Sequence, residues 1–82
     1  MQKIIVTGGL GFIGSNLIKI LLKLNYYVIN IDKISYASNL YNVKKLIDHK
    51  NYVFHRCDIN NQKKIYFLLK KYKPSGIFNL AA

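Results

Sequence analysis

Short apolar runs alternate along this chain with longer segments of helical periodicity. Ile4, Ile5 and Val6 form a β-branched run bounded by Lys3 and by Thr7-Gly8-Gly9, a length and composition that suit a buried parallel strand. A helix is predicted at once behind it. Ile13, Leu17, Ile20, Leu21 and Leu24 recur at helical spacing and predict one broad apolar stripe against a sheet, with Asn16, Lys19 and Lys23 off it and Asn25 as the stop. Residues 27–31 are a second β-rich run closed by Asp32. Residues 35–40 form a polar connection that leads into a weak helical stretch over about 39–48.

Residues 52–56 read as a third strand, with Val53, His55 and Cys57 on one face and Tyr52, Phe54 and Arg56 on the other. Asn60 or Asn61 caps the next helix, in which Ile65, Leu68, Leu69 and Tyr72 are the buried stripe and Lys63, Lys64, Lys70 and Lys71 face water. Pro74-Ser75-Gly76 breaks that helix, and residues 77–80 give a fourth short apolar strand. The alternation β-α-β-α-β-α-β predicts an α/β fold with a parallel sheet, right-handed crossovers and helices on both faces. In the doubly wound order the chain moves outward through the second and third strands and returns to lay the fourth beside the first. The crevice at that return point is where ligands of such sheets bind.

Size and composition narrow the picture. At 82 residues the chain is one small unit near the lower limit of self-sufficient cores, so a complete two-domain enzyme is not expected in it. The single cysteine, Cys57, removes intrachain disulfides and Cys-rich zinc modules and favours the reduced cytoplasm. Lys19 and Lys23 interrupt the longest apolar run, so neither a membrane span nor a signal peptide is expected. The net charge of +10 invites a nucleic-acid reading. The lysines fall on solvated helix faces, however, and the crowding of Lys, Asn, Ile and Tyr fits a residue bias, so no nucleic-acid or membrane partner is expected.

The candidate chemistry lies in Thr7-Gly8-Gly9-Leu10-Gly11-Phe12-Ile13-Gly14, between the first strand and the first helix. It reads as Gly9-x-Gly11-x-x-Gly14 or as Gly8-x-x-Gly11-x-x-Gly14. In both readings the glycines permit a tight turn, admit a pyrophosphate to the backbone and let the helix pack closely on the sheet, while amides at the helix N-terminus meet the phosphate charge. A lone glycine triplet is weak; its place in a βαβ unit turns it into an expectation of dinucleotide binding. Asp32 ends the second strand 18 positions after Gly14, near the expected ~20, where a carboxylate accepts ribose hydroxyls and disfavours a 2'-phosphate. The cofactor expected is therefore NAD. Asp58, at the end of the third strand, either accepts the adenine amino group with Ile59 packed on the ring, or serves as a helix cap. His55 and Cys57 are read as strand packing and not as metal ligands, for want of a third ligand nearby.

These motifs resemble the N-terminal part of the extended short-chain dehydrogenases/reductases. The loop from Thr7 to Asn16 is similar to that superfamily's cofactor loop, and Asp58-Ile59 and Asn79-Leu80-Ala81-Ala82 resemble its later cofactor contacts. Asp32-Lys33-Ile34-Ser35-Tyr36-Ala37-Ser38-Asn39-Leu40 resembles the segment after the second strand in the dTDP-glucose 4,6-dehydratases, where UDP-glucose 4-epimerases carry an Asn-rich segment. The resemblance implies that residues 1–82 are a partial NAD-binding Rossmann domain, the N-terminal half of a doubly wound sheet, with the substrate domain absent. It implies NAD contacts at Gly8, Gly11, Phe12, Ile13 and Gly14 around the pyrophosphate, at Asp32, Lys33, Ile34 and Ser35 near the adenosine ribose, at Asp58 and Ile59 at adenine, and at Leu80, Ala81 and Ala82 along the crevice. Ser35 stands where the family commonly has Thr, and Ser38 where bacterial members usually have Gly, which strains the loop if that site needs a positive φ.

In that family NAD takes hydride from C4 of the sugar, water leaves across C5 and C6, and hydride returns to C6. The resemblance further implies a nucleotide-sugar substrate and a homodimer for the whole enzyme. The family's Tyr-x-x-x-Lys pair and its acid/base pair are expected beyond residue 82, so no catalytic residue is assigned. Tyr41-x-x-x-Lys45 and Tyr66-x-x-x-Lys70 match the spacing, but a chain with 7 Tyr and this many lysines produces such a match by chance. Two classes stay open from sequence: the cofactor-binding part of a dehydratase, or of an epimerase of the same superfamily; and a truncated, non-catalytic nucleotide-binding module. The 82 residues alone are expected to fold marginally or associate, and to be inactive.

Overall fold

The computed structural model describes residues 1–33, 44, 46 and 48–81. Four strands, β1 (Lys3–Thr7), β2 (Tyr27–Asp32), β3 (Tyr52–Arg56) and β4 (Gly76–Asn79), form one sheet in the order β3-β2-β1-β4, with every pairing parallel. The chain steps outward from β1 to β3 and returns to β4, as the alternation predicts. Helix α1 (Phe12–Lys23) joins β1 to β2, and helix α2 (Gln62–Tyr72) joins β3 to β4. Lys44 and Leu46 are helical; the rest of the predicted 39–48 helix lies outside the described residues.

Strand alternation sorts the core into two layers. On the α1 side Ile4, Val6 and Val28 pack with Ile18, Leu21, Leu22 and Tyr52, with Leu46 at the margin. On the α2 side Ile5, Ile29 and Ile31 pack with Cys57 and Leu68, flanked by Ile65, Leu69 and Tyr72. The register places Ile5 opposite both Ile29 and Ile77, so β1 lies inside the sheet between β2 and β4.

The predicted stripe of α1 needs correction. Leu21 is buried and Leu17 half-buried, but Ile13 is 72% exposed, and Ile20 and Leu24 are exposed as well. The buried face runs through Gly14, Ile18, Leu21 and Leu22. Gly14 causes the offset, because it is the one position of the first turn without a side chain and the helix turns that bare spot toward the glycine loop. The hydrophobic set Ile13, Ile20 and Leu24 then falls beside the core. The helix ends in a Schellman arrangement: the Tyr26 amide donates to Leu21 O and the Asn25 amide to Leu22 O, with Asn25 at φ 66°. In α2 the cap is Asn61, whose Oδ1 accepts the Lys64 amide at 3.2 Å. Asp58 instead accepts the Asn60 amide at 2.9 Å in the preceding turn, so its capping reading is set aside.

Candidate cofactor site

The β1–α1 loop is tied to the end of β2 by three successive amides. Gly8 N donates to Ile31 O at 2.9 Å, Gly9 N to Asn30 Oδ1 at 3.1 Å, and Leu10 N to Asp32 Oδ2 at 3.2 Å. Gly11 N closes the turn onto Gly8 O at 3.3 Å. On the other side Thr7 joins the loop to the exit of β4: its hydroxyl donates to Asn79 Oδ1, its carbonyl accepts the Leu80 amide at 3.0 Å, and the Ala81 amide lies 3.5 Å from its Oγ1. The loop is thus held from both neighbouring strands at the carboxyl edge of the sheet.

Each glycine of the loop answers a different demand. Gly8 has φ +73°, and a Cβ there would lie 2.8 Å from Ala81 N. At Gly14 a Cβ would meet Gly8 O at 2.5 Å and Gly9 Cα at 2.7 Å, so helix and loop touch backbone to backbone. Gly9 points inward, where a Cβ would overlap the Asn30 side chain and approach Ile18 Cδ1 at 2.6 Å. At Gly11 a Cβ would meet only Gly8 O, at 3.7 Å. Packing within the chain therefore explains Gly8, Gly9 and Gly14 but not Gly11, which borders open space.

That space is a cleft of about 340 Å³ lined by Gly8, Gly11, Phe12, Ile13, Gly14 and Leu80. Gly11 is the residue before α1, extended at φ −73° and ψ 174°, and the first turn of the helix carries no acidic side chain. The amides of that turn have no intrahelical acceptors, and the helix dipole favours negative charge beside them. Phe12, 84% exposed, and Ile13 offer apolar surface at the rim. The arrangement suits an anionic group at the loop with an extended, partly apolar ligand running along the sheet edge.

The other expected contacts lie on the same carboxyl edge. Asp32 is half-buried at the end of β2 and Lys33 is exposed beside it. The Cys57 amide donates to Asp32 O at 2.9 Å, which joins the β2 and β3 exits and sets Asp58 and Ile59 just beyond. Leu80 lines the cleft, and Ala81 abuts Gly8. Ile34, Ser35, Ser38, Tyr41, Lys45 and Ala82 lie outside the described residues. Away from this edge, His55 Nε2 lies 2.8 Å from Tyr72 Oη, and burial, with Lys71 and Lys64 adding to it, pushes the imidazole below its ordinary pKa. Cys57 is buried, with its thiol on Asp58 O at 3.2 Å. Tyr66 and Lys70 meet on the solvent side of α2, with Nζ 4.9 Å from the ring centroid. Sequence reasoning places Thr7 and Asn79 in the resembling motifs without their mutual bond and gives Asn30 and Tyr52 no role at the site; a lone polar residue in an apolar strand, as Asn30 is, is the available signal.

Known proteins share this architecture. The profile of the GDP-mannose 4,6 dehydratase family matches residues 5–82, nearly the whole chain. The chain belongs to that family. Within the GDP-mannose 4,6 dehydratase family and its structural neighbours, the chain is 41% identical over 81 residues to a probable dTDP-glucose 4,6-dehydratase of Sinorhizobium fredii, covering 99% of this chain and 23% of the relative. It matches the structure of dTDP-glucose 4,6-dehydratase from Bacillus anthracis in complex with NAD with a TM-score of 0.91 and 40% identity, over 100% of this chain and 27% of that one. The UDP-glucose 4-epimerase of Thermotoga maritima, solved with UDP-glucose, matches with a TM-score of 0.81 and 31% identity, over 99% of this chain and 24% of that one. The chain thus spans about a quarter of the length of these relatives. Its sheet is the N-terminal Rossmann-type sheet of the dehydratase and epimerase structures.

Proposed function

We propose that residues 1–82 are the NAD-binding portion of a dTDP-glucose 4,6-dehydratase, a partial Rossmann domain to which the substrate domain is added elsewhere in the protein. The observation that carries this reading is the identity of 35–41% to dTDP-glucose 4,6-dehydratases over essentially the whole chain, one of them solved with NAD, against 25–32% to epimerase structures. The cleft fits the cofactor on its own chemistry: its floor is backbone, a Cβ at Gly11 would enter it, and donors at a helix N-terminus face it.

In this reading Gly8 and Gly14 shape the loop, and Gly11, Phe12 and Ile13 receive the pyrophosphate at the start of α1. Asp32 accepts the ribose hydroxyls, with Lys33, Ile34 and Ser35 beside it. Asp58 and Ile59 meet adenine, and Leu80, Ala81 and Ala82 follow the cofactor along the crevice. NAD supplies the hydride acceptor and donor of an internal redox cycle; the chain's own residues bind it, orient it and shield it from water. A carboxylate at this position repels a 2'-phosphate. We further propose a nucleotide-sugar substrate, a homodimer and a cytosolic location for the whole protein, the last consistent with the free Cys57. Among the described residues no helix is long and apolar enough to cross a membrane.

The test is turnover by the protein expressed from its complete reading frame. Conversion of dTDP-glucose to the 4-keto-6-deoxy sugar nucleotide, with water lost and no net NADH formed, is the expected result. Interconversion of a 4-epimer pair without loss of water would assign it to the epimerases instead.

A further inference from the structure

Asn30 is fully buried in the middle of β2, 0% exposed, between Ile29 and Ile31 in the chain and level with Val6 and Phe54 on the flanking strands. An amide buried there is costly unless both of its ends are bonded, and both are. Oδ1 accepts the Gly9 amide at 3.1 Å, and Nδ2 donates to Tyr52 Oη at 2.9 Å. The orientation of the amide is dictated chemically, since the Gly9 N–H can only donate and the end facing it must be the oxygen. Tyr52 is itself buried, on β3, and burial, the largest influence, raises the pKa of its phenol above the ordinary value against the lowering pull of the Asn30 hydrogen bond. A hydrogen-bonded line therefore runs from β3 across β2 to the floor of the glycine loop. Gly9 has room for it only because it lacks a side chain.

We infer that Asn30, anchored by Tyr52, is a positioning residue for the cofactor, setting the height and tilt of the Gly9 peptide and so the aim of the amides that open α1. This rests on the reading of the cleft as an NAD site. Neither side chain lines the cleft, so the effect on the cofactor passes through the loop. The neighbouring amides keep their own partners without it, Gly8 on Ile31 O and Leu10 on Asp32 Oδ2, so removing Asn30 releases one peptide of the loop and not the whole.

The experiment compares Asn30→Leu, Tyr52→Phe and Val28→Ala in the protein from its complete reading frame. NAD affinity, thermal midpoint and hydrogen exchange at the Gly8 and Gly9 amides are measured in each. Val28 lies two positions earlier on the same strand and face, fully buried, and serves as the purely structural control. Asn30→Leu is expected to weaken NAD binding about tenfold and to speed exchange at Gly9 by at least as much, with Gly8 still protected. Tyr52→Phe, which leaves the Gly9 bond but frees the amide to tilt, is expected to weaken NAD several-fold and carries the test if Asn30→Leu does not fold. Val28→Ala is expected to lower the midpoint while leaving NAD affinity and Gly9 exchange as in the parent. If affinity falls in Val28→Ala as it does in the Asn30 and Tyr52 variants, or if those variants bind NAD like the parent, Asn30 is only a core residue and the inference is overturned. A parent protein that does not bind NAD would instead overturn the cofactor assignment.

Discussion

Exchange of Gly11 for alanine separates binding from folding, with Gly8→Ala as its counterpart. At Gly8 the new Cβ meets backbone at 2.8 Å in a residue at φ +73°. The left-handed conformation costs a non-glycine residue about 1–2 kcal/mol, and the forced contact adds roughly 1–3 kcal/mol. The lower entropy of the unfolded chain returns about 0.4–1 kcal/mol. Gly8→Ala should therefore destabilise by about 1–5 kcal/mol, a fall of several degrees in midpoint. At Gly11 the backbone is extended and the nearest atom is 3.7 Å away, so no strain or clash arises. Alanine is a poorer N-terminal residue for α1 by roughly 0.5–1 kcal/mol, which the entropic gain nearly offsets. Stability should stay within about 0.5 kcal/mol of the parent. The methyl group projects into the cleft, so NAD affinity should fall at least about tenfold, or ~1.4 kcal/mol. Calorimetric titration with NAD and scanning calorimetry on both variants give the two quantities. A Gly11→Ala protein that binds NAD as tightly as the parent would refute the placement of the pyrophosphate at this turn.

Acidification should destabilise the fold through His55. Its folded pKa lies below the unfolded value near 6.5, so in the window between them the unfolded state binds more protons, and stability present at neutral pH is lost as pH falls through that window. His55→Gln should flatten the thermal midpoint between about pH 7 and 5; an unchanged slope would remove His55 as the cause. Residues 1–82 expressed alone should associate, because Ile77, Phe78 and Leu80 are exposed at the β4 margin and Ile13, Ile20 and Leu24 on α1. Sedimentation showing a monodisperse monomer with cooperative melting would contradict this.

Most of the fold was legible because its signals are local. Glycine, asparagine and proline punctuate the chain where the elements end, and β-branched runs of strand length sit between them. The order of the sheet followed from alternation plus the handedness of crossovers. What failed was the face of α1: hydrophobicity alone favours Ile13, Ile20 and Leu24, whereas the packed face is fixed by Gly14, whose value lies in having no side chain. Helical periodicity weighs side chains and cannot register a contact made by backbone. Asp32 and Asp58 were readable as strand exits for the same reason as the strands, since each follows a short β-rich run. The supports beneath the loop were not. Gly9, Asn30 and Tyr52 are 21 and 22 positions apart and meet only when β1, β2 and β3 lie side by side. Thr7 and Asn79, 72 positions apart, likewise depend on β4 returning to β1.

The central claim, a dinucleotide site whose ribose is read by Asp32, is tested most directly by titrating the protein from its complete reading frame with NAD and with NADP. The parent should bind NAD more tightly, and Asp32→Ala should narrow the gap, chiefly by weakening NAD. Tighter binding of NADP by the parent, or no binding of either dinucleotide, would contradict the account.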